Sequence, residues 1–186
     1  MKNTTLYKGG DTDVCVHCVL FPGRGNYFGG AYRTIPVGNT EKAARMLADI
    51  TGGTLFSIQQ QVPYSDRYQT CIVQAKQDLQ SHARPALVAL PEPNETYTYL
   101  YLGYPNYWGT MPMAVYTFLE QVPLTGVTIH PFCTHEGSGL SHTVADIRAA
   151  APGAIVTAGL AIQGSRVDAA RPQLEKWVRE TGGLHG

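Results

Sequence analysis

At 186 residues, with roughly 100–200 residues to a domain, the chain has room for one sizeable core and is expected to form a single domain over residues 1–186. Hydrophobic residues make up 44% of it and charged residues 15%, a composition that excludes intrinsic disorder. Fourteen basic residues balance fourteen acidic ones, so no long-range field attracts nucleic acid or an anionic membrane.

Residues 1–13 read as an N-terminal extension, polar from Met1 to Thr5 and glycine-rich at Gly9-Gly10, with no apolar h-region. Nothing later approaches the apolar run of about 18 residues that a membrane span needs. A cytoplasmic protein without nucleic-acid or membrane partners is the expectation. The first strand is predicted at Val14–Phe21. Cys15-Val16-His17-Cys18 inside it has C-x-x-C spacing, but residues three apart on a strand point to opposite faces, and Cys71 and Cys133 stand alone, so neither a redox pair nor a zinc site is expected. Free thiols are predicted, since a chain with a full core does not depend on disulfides.

Residues 22–38 are rich in glycine and tyrosine, follow neither a helical nor a strand period, and make a first βα connection about three times the usual length. Gly23-Arg24-Gly25 suggests a dinucleotide fingerprint, yet the next glycines are Gly29 and Gly30, so G-x-G-x-x-G fails by one residue. Gly38-Asn39-Thr40 then opens a helix over Thr40–Thr51, with Ala43, Ala44, Leu47 and Ile50 on one face and Gly52-Gly53 as the stop. The exposed amides at its start suit a phosphate.

A second strand is expected at Thr54–Gln59 and a helix over Ser65–His82, with Tyr68, Ile72, Ala75 and Leu79 on one stripe and Arg84-Pro85 beyond its end. Strand three, Tyr97–Gly103, runs into the aromatic loop Tyr104-Pro105-Asn106-Tyr107-Trp108-Gly109-Thr110. After a helix at Pro112–Gln121, strand four, Val127–Cys133, leads into Thr134-His135-Glu136-Gly137-Ser138-Gly139. A helix at Thr143–Ala150, a fifth strand at Ala154–Gly159 and a helix at Asp168–Glu180 complete the chain, with Pro172 tolerated in the first turn of the last helix. Alternating strands and helices predict an α/β fold with a parallel sheet, whose ligands sit beyond the carboxyl ends of the strands, here the loops after strands one, three and four.

Cys133 with His135 and Glu136 could instead suggest a thiol nucleophile and base. Two residues apart at a strand end, however, Cys133 and His135 do not reach a common hydrogen bond, and Ser138 lacks the G-x-S-x-G elbow. His142 and Asp146, at i and i+4, read as a capped, solvated helix start.

The stretches Gly103-Tyr104-Pro105-Asn106-Tyr107-Trp108-Gly109-Thr110-Met111-Pro112 and Pro131-Phe132-Cys133-Thr134-His135-Glu136-Gly137-Ser138-Gly139 resemble signature loops of the bacterial flavodoxin family. Gly159-Leu160-Ala161-Ile162-Gln163-Gly164-Ser165 is similar to that family's last strand and turn. The resemblance covers residues 14 to 182 and implies a flavodoxin-like doubly wound five-stranded parallel sheet, order 2-1-3-4-5, with helices on both faces and FMN at the switch point. It would have Arg24, Gly25, Asn26, Gly38, Asn39 and Thr40 hold the phosphate. Pro105, Asn106, Tyr107, Trp108 and Gly109 would flank the isoalloxazine, and Thr134, His135, Glu136, Gly137, Ser138 and Gly139 would bond its other edge. The implied role is electron transfer with redox partner proteins. Alternatives are an FMN-dependent reductase of quinones or other small electron acceptors, and a flavin-free interaction module; a homodimer is compatible with any of these. The chain departs from the family pattern at Pro22 and Arg24, where hydroxyl side chains are expected, and in its neutral net charge.

Overall fold

The computed structural model describes residues 14–19, 26–29, 31–92 and 98–182. Their elements run β1 (Val14–Val19), β2 (Asn26–Phe28), β3 (Ala31–Arg33), α1 (Asn39–Thr51), β4 (Thr54–Ile58), α2 (Tyr68–Gln80), β5 (Tyr99–Pro105), α3 (Met113–Gln121), β6 (Thr128–His135), α4 (Thr143–Ala150), β7 (Ile155–Val156), β8 (Leu160–Gln163), a 3₁₀ turn at Gly164–Ala169 and α5 (Arg171–Glu180). The main sheet is parallel, ordered β4-β1-β5-β6-β7, with β8 also paired to β6. Among the described residues, no helix is long and apolar enough to cross a membrane.

The order follows from two crossovers in opposite directions. β1–α1–β4 steps to one side of β1 and β4–α2–β5 returns to the other. Since both crossovers are right-handed, their helices fall on opposite faces. Burial on the central strands alternates accordingly. Leu100, Leu102 and Tyr104 of β5, with Ile129 and Cys133 of β6, pack under α3 and α4 with Ala114, Phe118 and Ile147. Tyr101 and Phe132 face the other way, into the layer formed by Ala43, Ala44 and Leu47 of α1 and Leu174, Trp177 and Val178 of α5. A strand covered on both faces has no solvated side, which is why β5 reads as a near-continuous apolar run.

Gly103 on β5 makes room for a ring. A Cβ there would lie 2.1 Å from Phe132 Cζ, so only glycine lets Phe132 cross the strand and meet Trp177 at 6.4 Å. His130, 2% exposed, lies in the same layer, stacked on Tyr101 at 4.9 Å, with Nδ1 3.2 Å from Thr157 Oγ1. Burial lowers its pKa to about 4.

Several boundaries differ from the expected ones. The fifth strand is two short strands: β7 pairs Thr128 and Ile129 with Ile155 and Val156, while β8 pairs Phe132 with Leu160. Three steps along β6, from 129 to 132, therefore face four along the edge, from 156 to 160. The extra residue makes a bulge where Pro131 has no N–H to give and Gly159, at φ +84°, crosses 3.0 Å from the Pro131 carbonyl oxygen, measured from where a Cβ would be. β5 and β6 run on to Pro105 and His135, so the first residues of both expected loops are still strand. The second helix begins at Tyr68 rather than Ser65, because the Ser65 hydroxyl accepts from the Arg67 N–H in a local turn at 3.2 Å. Residues 164–169 wind as 3₁₀, leaving α5 to start at Arg171 with Pro172 in its first turn. The long first connection holds a hairpin, β2–β3, with Tyr27 opposite Tyr32. Residues 1–13, Pro22 and Arg24 lie outside the described residues.

Gly103→Ala drives a methyl group into Phe132 and is expected to destabilise the fold by about 1–3 kcal/mol, read from its urea midpoint, with Phe132→Leu in the same background recovering part of the loss. An unchanged midpoint would contradict the packing. His130 is neutral in the folded chain but takes a proton in the unfolded chain below about pH 6.5. Between pH 6.5 and 4 the unfolded state thus holds more protons, and stability falls as the pH drops. His130→Phe should flatten that slope in denaturation curves taken across this window; an equally steep slope in the variant would rule His130 out as its source.

Candidate functional site

Beyond the carboxyl ends of β5 and β6 lies a cavity of about 600 Å³, within the range of about 300–1,000 Å³ usual for ligand sites. Its walls come from the start of α1 (Gly38, Asn39, Thr40, Glu41), Ile58 at the end of β4 with residues 59–61 and 63–66 after it, Tyr68 and Cys71 of α2, and Pro105, Asn106 and Tyr107 at the end of β5. Thr134, His135 and Glu136 at the end of β6, Gly164 and Tyr27 of the hairpin complete them.

The α1 terminus is buried yet uncapped. Gly38 supplies no side-chain bond, and the first intrahelical bond runs from Lys42 N–H to Gly38 O at 3.0 Å, leaving the amides of residues 39–41 for another acceptor. Asn39 and Thr40 are 8% and 5% exposed. Thr40 Oγ1 lies 2.6 Å from Thr134 Oγ1, joining α1 to the end of β6, while Asn39 Oδ1 is buried with no hydrogen-bond partner among the described residues. Glu41 at the same turn pairs with Arg45 at 2.6 Å.

Glu136 ties three loops together. Its Oε1 accepts from Ser165 N–H at 2.6 Å, and its Oε2 accepts from the Ser165 hydroxyl at 3.0 Å and from Gly29 N–H in the hairpin turn at 3.4 Å. Gly164 is required beside it, since a Cβ would lie 2.5 Å from Asn39 Nδ2 and 2.8 Å from Glu136 Oε1. Asn106 does the same on the other side: its Nδ2 donates to Gly139 O at 3.0 Å and Ser141 Oγ at 3.1 Å, and its Oδ1 accepts from Gly109 N–H at 3.0 Å.

Tyr107 and Thr110 exchange backbone hydrogen bonds of 2.8 and 3.1 Å around Trp108 and Gly109, whose φ of 56° and 87° are both left-handed, the pattern of a type I′ turn. That turn decides which aromatic faces the cavity. Tyr107 lines it, with its hydroxyl 3.7 Å from Cys71 Sγ, and burial raises the pKa of both groups, so both stay protonated at neutral pH. Trp108 sits at the turn's tip, 51% exposed, donating from Nε1 to Ile72 O at 2.9 Å with Lys76 Nζ 4.8 Å over its ring.

Of the residues expected at the site, Gly38, Asn39, Thr40, Pro105, Asn106, Tyr107, Thr134, His135 and Glu136 converge on the cavity. Trp108, Gly109, Gly137, Ser138 and Gly139 do not line it: Trp108 folds back on α2, and the three later residues form the turn that Asn106 anchors. Arg24 and Gly25 lie outside the described residues, and Asn26 opens β2. Sequence reasoning missed Glu41, Ile58, residues 59–61 and 63–66, Tyr27, Tyr68, Cys71 and Gly164. The available signal was topological, because the loop after the second strand also borders a switch point beside the first.

Cys133 is a core thiol, fully buried under α3 and α4, its pKa pushed up to about 12 by burial and its Sγ donating to Gly139 O at 3.7 Å. His135 Nδ1 accepts from Gly137 N–H at 2.9 Å, so the two form no nucleophile and base. Asp146, expected at a solvated helix start, is half-buried instead, and its carboxylate accepts from the Thr110–Tyr116 hydroxyl network. Among the described residues no group of three or more histidine, cysteine or carboxylate side chains could hold a metal ion.

A family profile described as flavodoxin matches residues 30–181. No curated protein sequence matches the chain. Among solved structures, proteins described as flavoproteins from Bacteroides uniformis and Bacteroides eggerthii are each 22% identical. The first has a TM-score of 0.70 and covers 90% of this chain and 98% of its own; the second has a TM-score of 0.71 and covers 92% and 99%. A flavoprotein from Lactobacillus acidophilus, solved in complex with FMN, is 18% identical at a TM-score of 0.58 over 85% of this chain and 97% of its own. At these identities the likeness is one of fold.

Glu136→Ala should release Ser165 and the hairpin turn together. Amide exchange at Ser165 is expected to accelerate about tenfold or more, equivalent to about 1.4 kcal/mol of lost protection, with Glu136→Gln intermediate because it keeps one acceptor oxygen. Unchanged exchange at Ser165 in Glu136→Ala would contradict the tether.

Proposed function

The match across residues 30–181 makes this chain a member of the flavodoxin family, and we propose that it binds FMN at the carboxyl edge of its sheet and acts in electron transfer with a redox partner. The observation that carries this reading is the α1 terminus, a buried helix start with uncapped amides facing a ligand-sized cavity. Such a terminus carries about half a positive charge and suits a phosphate without any cationic side chain. The FMN-bound relative of the same fold supports the choice of flavin.

The donor set fits the group. The amides of Gly38, Asn39 and Thr40, with the hydroxyls of Thr40 and Thr134, would hold the phosphate. Asn39 Oδ1, without a partner among the described residues, is an acceptor suited to a sugar-alcohol hydroxyl. Pro105 and Tyr107 would lie along the ring, and Tyr107, neutral because burial raises its pKa, adds no charge there. Bound FMN would supply reversible one- or two-electron chemistry. The residues themselves bind, orient and exclude water, and no general base is called for. A second reading, reduction of a small acceptor, is favoured by one observation: the hairpin places Tyr27, an aromatic ring, in the cavity wall.

Purified protein stripped of cofactor should quench FMN fluorescence saturably at micromolar or tighter affinity, about 8 kcal/mol or more of binding free energy. Riboflavin, which lacks the phosphate, and Asn39→Ala with FMN should each bind about tenfold or more weakly, or about 1.4 kcal/mol. Trp108→Ala, outside the cavity, should stay within about twofold. Equal affinity for FMN and riboflavin would refute the phosphate role of α1. Absence of FMN binding by the unaltered protein would refute the reading as a whole, in favour of a flavin-free module.

A further inference from the structure

The flavin reading leaves the hairpin without a task. β2 and β3 form a two-stranded sheet of their own, off the main sheet, and all three residues of β3 are exposed. A two-stranded hairpin by itself is marginally stable in water, so this one depends on what it touches. Its contacts fall on two walls of the cavity. At the turn, Gly29 N–H donates to Glu136 Oε2 at 3.4 Å, and a Cβ on Gly29 would lie 3.8 Å from Ser165 Cβ. On β3, the Tyr32 ring tilts against Tyr68 at 5.1 Å, and its hydroxyl accepts from Gln69 Nε2 at 3.0 Å.

Glu136 follows β6 and Tyr68 opens α2, and both line the cavity, as does Tyr27 of β2. The hairpin therefore bridges two walls and adds a ring of its own to the lining. Tyr27 meets Tyr32 edge-on at 5.7 Å, which couples the ring in the cavity to the one held on α2. Both hydrogen bonds lie in solvent, where water competes for each group, and Tyr32 is 61% exposed. Residues 34–38, which join the hairpin to α1, have no regular structure. A segment with little burial and solvent-exposed hydrogen bonds opens locally at far lower cost than the fold as a whole.

We infer that the β2–β3 hairpin is a gate on the cavity, latched to α2 through Tyr32 and to the end of β6 through Glu136, and that it swings away for a ligand to enter or leave. The identity of that ligand as FMN rests on the reading above; the gate itself does not. Weakening a latch raises the open fraction of the free and the loaded protein by the same factor, so association and dissociation accelerate together and affinity holds. A fixed wall in contact with the ligand behaves differently, since losing the contact speeds dissociation alone. Tyr32 and Gln69 do not line the cavity, so altering them touches the latch and not the ligand. Cys71 does line it, at 9% exposure, and its thiol reports access without any cofactor.

Two measurements on the full chain test the gate. In cofactor-free protein, iodoacetamide labelling of Cys71, followed by mass spectrometry of its peptide, should accelerate about tenfold in Tyr32→Ala and severalfold in Gln69→Ala. Amide exchange at Cys71, whose N–H donates to Arg67 O at 2.9 Å, should stay unchanged, which separates opening of the hairpin from unwinding of α2. With FMN, stopped-flow fluorescence should show association and dissociation both about tenfold faster in Tyr32→Ala, with the dissociation constant within about twofold. Faster Cys71 labelling at unchanged amide exchange, without FMN binding by any form of the protein, would uphold the gate and sink the flavin reading. Labelling that does not respond, or that accelerates only together with amide exchange, would overturn the gate. FMN binding with unchanged rates in Tyr32→Ala, or with faster dissociation alone, would also overturn it and leave the flavin reading standing.

Discussion

Everything at the carboxyl edge depends on the reversal of winding at β1. The chain leaves β1 for β4 on one side and returns to β5 on the other, so right-handed crossovers send α1 and α2 to opposite faces. The cavity at that edge is bordered by the start of α1, whose first amides have no intrahelical acceptors, and by the ends of β5 and β6. The cavity is thus a consequence of connectivity, and the residues around it decide only what fills it.

Those residues are held by polar ties rather than by apolar packing. Glu136 holds the hairpin turn and the 3₁₀ segment, Asn106 holds the turns after β5 and β6, and the Thr40–Thr134 contact holds α1 against β6. Each tie spans elements far apart in sequence, so the site forms only once the sheet has assembled. The layers beneath are apolar and close-packed, with Gly103 shaped to Phe132 and His130 kept neutral among Tyr101, Tyr99 and Trp177. A rigid apolar base under a hydrogen-bonded rim suits a protein that must hold a ligand still without consuming it.

Strand and helix alternation was legible in the chain because β5, covered on both faces, reads as an apolar run, while α1 and α4 carry their buried residues at helical spacing; α4 falls at Thr143–Ala150 as expected. The divided edge strand was less so, since its bulge depends on Pro131 of a neighbouring strand. The hairpin at residues 26–33 shows no alternation because its order comes from Tyr68, Gln69 and Glu136, contacts that no local pattern encodes. Of the residues expected at the site, Gly38–Thr40 at a helix start and Pro105–Tyr107 and Thr134–Glu136 at strand ends line the cavity. Trp108 does not, because a two-residue turn with positive φ at both central positions sends the larger aromatic outward and leaves Tyr107 inside. Composition marks both residues as binders; only the turn geometry separates them.

The most direct measurement is a map of backbone amide shifts in isotope-labelled protein as FMN is added. The amides of residues 38–41, 105–107 and 134–136 should move together and saturate with one affinity, while those of β7 and the last turn of α5, remote from the cavity, stay in place. Shifts confined to another surface, or none at saturating FMN, would contradict the assignment of the flavin to the carboxyl edge of this sheet.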